Sequence, residues 1–307
     1  MDFVFASPSD VTLTIIEDPS DNDDHKTKTA LFHVDRSKLI ASSEFFKRTF
    51  LSRWERSGNH NPTLRGDSIK GMEVILGSIH GVDTKPESVS IADVWYIIKA
   101  CNKYLLDPKK LIGWFTCWIK WIEKQPDLWE DWDINRQLLF PCHFFDNAKA
   151  FQQISKNLVY TTIGQITEMA PTDSPSFEPM HMPPIIIPQN VFSYMRELHI
   201  IGVKPLDSDI HKNCVRDILD RLENFSEVKM GSVQRCGACS RPWKRVVEHA
   251  RRQVESYFDG LCLDCMQNHP DENSEYWALG IPRHAYDTTC RIRHGEPTWY
   301  FSFMGLS

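Results

Sequence analysis

The first residues with a clear pattern alternate. "DVTLTIIED" sets Val11, Leu13 and Ile15 on one side of the chain and Thr12, Thr14 and Ile16 on the other. That period of two, in β-branched residues ending at Pro19, predicts a strand. "ALFHV" follows the polar stretch "SDNDDHKTK" and predicts a second strand, so the two make a hairpin. The period then lengthens. In "DRSKLIASSEFFKRTFLSRW" the residues Leu39, Ile40, Phe45, Phe46, Thr49 and Phe50 fall on a helical stripe that breaks near Ser42 and Ser43. Two short helices are expected there. A short strand is expected at Thr63–Leu64. "SIKGMEVILGSIHG" predicts an amphipathic helix closed by Gly81. "SIADVWYIIKACNKYLL" and "PKKLIGWFTCWIKWIE" predict two more helices, with Pro108 suited to the first turn of the second.

A hairpin followed by helices describes a small α+β domain over residues 9–124. A helical extension is expected over 125–164, with Trp129, Trp132, Phe140, Phe144 and Phe145 in a core. Residues 165–189 are proline-rich and aperiodic, and read as a linker or surface excursion. Helix resumes in "NVFSYMRELHI" and "SDIHKNCVRDILDRLENF". These open a helical C-terminal domain over 190–307, whose last part, 231–307, carries five of the nine cysteines and four of the twelve histidines.

Charge narrows the function. The 35 Lys and Arg against 41 Asp and Glu give a net charge of −6, which argues against a whole-protein electrostatic grip on nucleic acid. The segment 231–307 holds nine basic and nine acidic residues. No stretch approaches the roughly 20 apolar residues of a membrane helix, and "MDFVFASPSD" has no secretory pattern. The expectation is a cytoplasmic or nuclear protein. In such a reducing compartment paired cysteines point to metal rather than to disulfides.

"CGACSRPWKRVVEHARRQVESYFDGLCLDC" contains two C-x-x-C pairs, Cys236 with Cys239 and Cys262 with Cys265. Each can supply two thiolates to a tetrahedral Zn²⁺ from one tight turn. Cys290 and His294 form a further C-x-x-x-H unit. These six are the candidate ligands of structural zinc. A straight helix over 243–257 spans about 22 Å, so the two pairs barely meet at one ion. Either a bent helix lets all four cysteines share it, or Cys262 and Cys265 join Cys290 and His294 while Cys236 and Cys239 use a second site. The order of the ligands does not give a RING pattern. Cys101, Cys117, Cys142 and Cys214 stand alone and are expected to be buried thiols. No P-loop, dinucleotide glycine motif, H-E-x-x-H or catalytic triad order is present, so no enzymatic activity is expected.

The N-terminal residues resemble a known family. In "FHVDRSKLIASSEFF", Phe32, Leu39, Ser43 and Phe46 fall at the spacing of the BTB/POZ signature. "EVILGSIHG" and "ACNKYLLDPKKLIGWFTCWI" are similar to the family's later helices. Two positions depart from it: Asp35 stands at the usual histidine and His80 at the usual tyrosine. The C-terminal "YFDGLCLDCM" and "CRIRHGEPTWYFSFMG" resemble fungal BTB/POZ-domain proteins. The resemblance implies a protein-interaction adaptor that associates with itself or with a cullin-type ubiquitin ligase. Only about ten residues precede the expected first strand, too few for the helix and strand exchanged in BTB transcription-factor dimers, so that dimer is not expected. The alternative function is a zinc-dependent, nucleic-acid-binding transcriptional regulator. Its candidate surface is the basic face of the helix between the cysteine pairs, Lys244, Arg245, Arg251 and Arg252.

Overall fold

A computed structural model describes residues 1–18, 27–53, 61–162 and 166–171, with shorter pieces at 214, 216–217, 220, 245, 248–249, 251–252, 260–264 and 290–292. The chain divides into two units, Met1–Asn147 with Met169–Pro179, and Ala148–Glu168 with Met180–Ser307.

The first unit is built on a mixed four-stranded sheet in the order β1-β3-β2-β4. Strands β2 (Val11–Glu17) and β3 (Lys28–Val34) form the expected hairpin, in a register that sets Val11 opposite Val34, Leu13 opposite Phe32 and Ile15 opposite Ala30. All six are buried, because a strand's alternate side chains share one face. The short strand β4 (Thr63–Arg65) runs parallel to β2. Strand β1 (Asp2–Val4) was not anticipated. It runs parallel to β3, and Phe3 stacks on Phe32 with centroids 4.6 Å apart. The expectation that the sheet begins with β2 is thereby corrected. Three residues carry too little periodicity to announce a strand, and this one is defined by its distant partner.

The helical pair is α1 (Arg36–Ser42) and α2 (Glu44–Arg48). The break falls at Ser43, as the stripe suggested, and the serine makes two bonds there. Its Oγ accepts the Phe46 N–H at 3.1 Å, capping α2, and donates to the Tyr104 carbonyl at 2.5 Å. Asp35 caps α1, accepting the N–H groups of Ser37 and Lys38. Helix α3 (Ile69–His80) ends at Gly81, whose φ of 75° is the left-handed conformation that glycine adopts without strain. Helix α4 (Ile91–Lys103) begins in a reciprocal Ser90–Asp93 capping box. A 3₁₀ turn at Pro108–Leu111 leads into α5 (Ile112–Ile122).

Two short-range expectations are revised. Cys117 is exposed, because α5 turns Phe115, Trp118, Ile119 and Ile122 inward and leaves position 117 on the opposite side. Helices α6 (Pro126–Trp129) and α7 (Trp132–Phe144) continue the unit. Phe140 and Phe145 are core, but Trp132 is exposed and lies under the Arg136 guanidinium, 4.5 Å from its carbon. Helix α7 is tied to α4 by the Trp95 indole N–H, which donates to the Gln137 carbonyl at 3.0 Å. Among the described residues no helix is long and apolar enough to cross a membrane. In the second unit, α8 (Ala148–Thr161) turns Phe151, Ile154, Leu158 and Val159 inward.

Candidate metal centre

In the second unit the chain at 260–264 lies against α8. Gly260 has φ of 96°, and a Cβ placed on it would fall 2.0 Å from the Gln152 carbonyl oxygen. No other residue fits so close to a backbone carbonyl. The next residue, Leu261, donates its N–H to Ser155 Oγ at 2.8 Å, and that hydroxyl donates to the Gln152 carbonyl at 3.0 Å. Leu261, Cys262 and Leu263 are then buried, with Cys262 fully so.

This anchored turn brings Cys262 and Asp264 beside Cys290. One ligand atom from each of the three lies within 4.8 Å of the others. Two thiolates on one zinc, each at about 2.3 Å, stand about 3.8 Å apart in tetrahedral geometry. The spacing therefore fits a shared ion, and thiolates are the donors that zinc prefers. Cys262 and Cys290 belong to the set expected from the sequence. Asp264 does not, since a single aspartate between two cysteines carries no metal signature. Its two oxygens face Arg291: the Arg291 backbone N–H reaches Oδ2 at 2.7 Å, its Nε–H reaches Oδ1 at 2.8 Å, and its Nη2 lies 2.6 Å from Oδ1. The remaining candidates, Cys236, Cys239, Cys265 and His294, lie outside the described residues.

The solitary cysteines behave differently. Cys101, Cys142 and Cys214 are buried as expected. Burial pushes the Cys101 thiol up to about 12 and raises Cys142 and Cys214 as well. Thiols held protonated in this way are poor ligands and nucleophiles. On the basic helix, Arg245 and Arg252 are exposed, with the acidic Glu248 exposed between them.

Two polar clusters of the first unit, at Asp67 and at His80, are internally satisfied. Asp67 is buried and accepts from the Tyr104 hydroxyl at 2.5 Å and from Lys103 Nζ at 2.8 Å, tying α4 to the turn after β4. His80 is buried, and both of its ring nitrogens are engaged. Nδ1 lies 2.8 Å from the Leu76 carbonyl, and Nε2 accepts the Asp35 N–H at 2.9 Å. This pattern selects the neutral ring with its proton on Nδ1. The two positions that depart from the BTB signature therefore meet, through the Asp35 backbone and the His80 ring. No protein-family model and no curated protein matches the chain.

Proposed function

We propose that the chain is a non-enzymatic adaptor. Its first unit recruits a protein partner as BTB/POZ domains do, either a second copy of itself or a cullin-type ubiquitin ligase. Its second unit is a module held together by structural zinc. The observation that carries the first part is the setting of the signature residues. Phe32, Leu39, Ser43 and Phe46 are all buried, and they join the hairpin, the helical pair and the end of α4. Their shared packing role supports reading the spacing as that signature. The buried Cys262 beside Cys290 supports the second part. Zinc in thiolate-rich ligation cross-links the chain and leaves no open position for water, so it contributes folding free energy rather than catalysis.

The test combines capture and size. Tagged full-length chain is incubated with purified cullin at micromolar concentration, and its mass is measured by light scattering. Retention of cullin supports the ligase-adaptor form of the proposal. A dimer without cullin binding supports self-association. A monomer that captures no cullin overturns the BTB-type recruitment role.

A further inference from the structure

The six expected ligands can be shared out in two ways, and the geometry distinguishes them. If Cys236, Cys239, Cys262 and Cys265 filled one ion, Cys290 would have no part in it and no reason to stand at Cys262. Yet Cys290 lies within ligand distance of Cys262 across 28 positions of chain, which local structure cannot arrange. The contact is made by residues flanking the cysteines. Asp264, two residues after Cys262, takes up the backbone N–H and the side chain of Arg291, the residue after Cys290. One carboxylate thereby fixes the two turns side by side.

We infer that Cys262 and Cys290 bind one Zn²⁺ together, and that Asp264 is the strut joining their two turns rather than a ligand. Both Asp264 oxygens already accept charge-assisted hydrogen bonds from Arg291, and a zinc ion would have to draw on the same oxygens in exchange for part of that bonding. With thiolates present, zinc does not require that exchange. Outer partners of this kind orient ligands and commonly change metal affinity about 10–100-fold when removed. The sequence offers two further candidate ligands near these cysteines. Cys265 is three residues after Cys262, and His294 is four after Cys290. Both lie outside the described residues and are assigned by spacing alone. A four-coordinate ion completed by those two would have no place for Cys236 or Cys239. The inference rests on the zinc reading of the second unit and is independent of the adaptor role.

Full-length variants loaded with Zn²⁺ or Co²⁺ test it. Elemental analysis of the wild-type chain comes first, and zinc near zero overturns the metal reading as a whole. The double variant Cys236→Ser/Cys239→Ser is expected to keep one zinc per chain, and adding Cys290→Ser to it is expected to reduce zinc to below about a tenth. If zinc is present in the wild type but absent from the double variant, or unaffected by Cys290→Ser, the shared Cys262–Cys290 site is wrong while the metal reading survives. An unchanged thermal transition of the first unit shows that each variant is folded there. For the strut, Asp264→Asn and Arg291→Ala should each weaken zinc binding about 10–100-fold and leave the Co²⁺ ligand-field spectrum unchanged. A changed spectrum in Asp264→Asn alone would make Asp264 a ligand and overturn that part.

Discussion

Phe46→Ala removes the ring at the centre of the helical pair. Phe46 is 1 % exposed. Its ring lies 5.6 Å from Tyr104, 6.1 Å from Phe50 and 5.4 Å from Phe45. Truncation loses the transfer free energy of a buried phenyl group and leaves a cavity walled by those rings. Tyr104 cannot move in to fill it, because its hydroxyl is held by Asp67 and its backbone carbonyl by Ser43. The cost is therefore that of a cavity that does not collapse, about 3–5 kcal/mol. At about 3 °C per kcal/mol for a unit of this size, the first unit's melting temperature should fall by roughly 9–15 °C. Near-ultraviolet circular dichroism during a thermal melt reads the loss. Phe45→Ala is the control. Phe45 is only half-buried and should cost less than about 2 kcal/mol. A melting temperature within about 2 °C of wild type for Phe46→Ala, or equal losses for the two variants, would refute the placement of the signature helix against the core.

Acid should weaken the first unit through His80. Burial holds this histidine below its ordinary 6.5, with the charge of Lys38 acting in the same direction and Asp35 opposing. The unfolded chain then binds the proton first, so stability falls as pH drops below about 6.5 and levels off beneath the folded value. Denaturant midpoints between pH 7.5 and 5 should show a smaller acid loss in His80→Gln than in wild type, and equal losses would rule the histidine out. Gly260→Ala places a methyl group against the Gln152 carbonyl and should reduce bound zinc to less than half of wild type; elemental analysis showing full zinc would mean that the turn does not depend on α8. Gly113→Ala, at an exposed position in the first turn of α5, meets nothing within 4 Å and should stabilise the first unit by about 0.5–1 kcal/mol, which urea unfolding measures.

What the sequence revealed and what it concealed follow from the range of the forces involved. The β2–β3 hairpin, the break at Ser43, the stop at Gly81 and the turn at Pro108 rest on neighbours a few residues away, so periodicity and turn chemistry expose them. Strand β1 rests on a pairing with β3 and on one aromatic stack, neither of which is local; the alternating Phe3-Val4-Phe5 was its only trace. Trp132 was misplaced because an aromatic residue on a helix signals the core only when its face is known, and the α7 N-terminus turns it outward. The cysteine spacings suggested a metal site, but the approach of Cys262 to Cys290 depends on Asp264, Arg291 and the docking of Gly260 on α8. An aspartate, an arginine and a glycine are too common to point to one another across a chain.

Strand β1 also bears on how fast the first unit comes apart. A parallel strand cannot pair until the β2–β3 hairpin exists to receive it, and its ladder is only three residues long. We therefore expect it to add to the sheet on the native side of the folding barrier, where lost interactions speed unfolding and leave folding almost untouched. Phe3→Ala should steepen the early loss of signal in an unfolding jump while the refolding limb stays where it was. Amide exchange should report the same order, with the N–H of Leu31, bonded to the Met1 carbonyl at 2.9 Å, opening before those that β3 shares with β2.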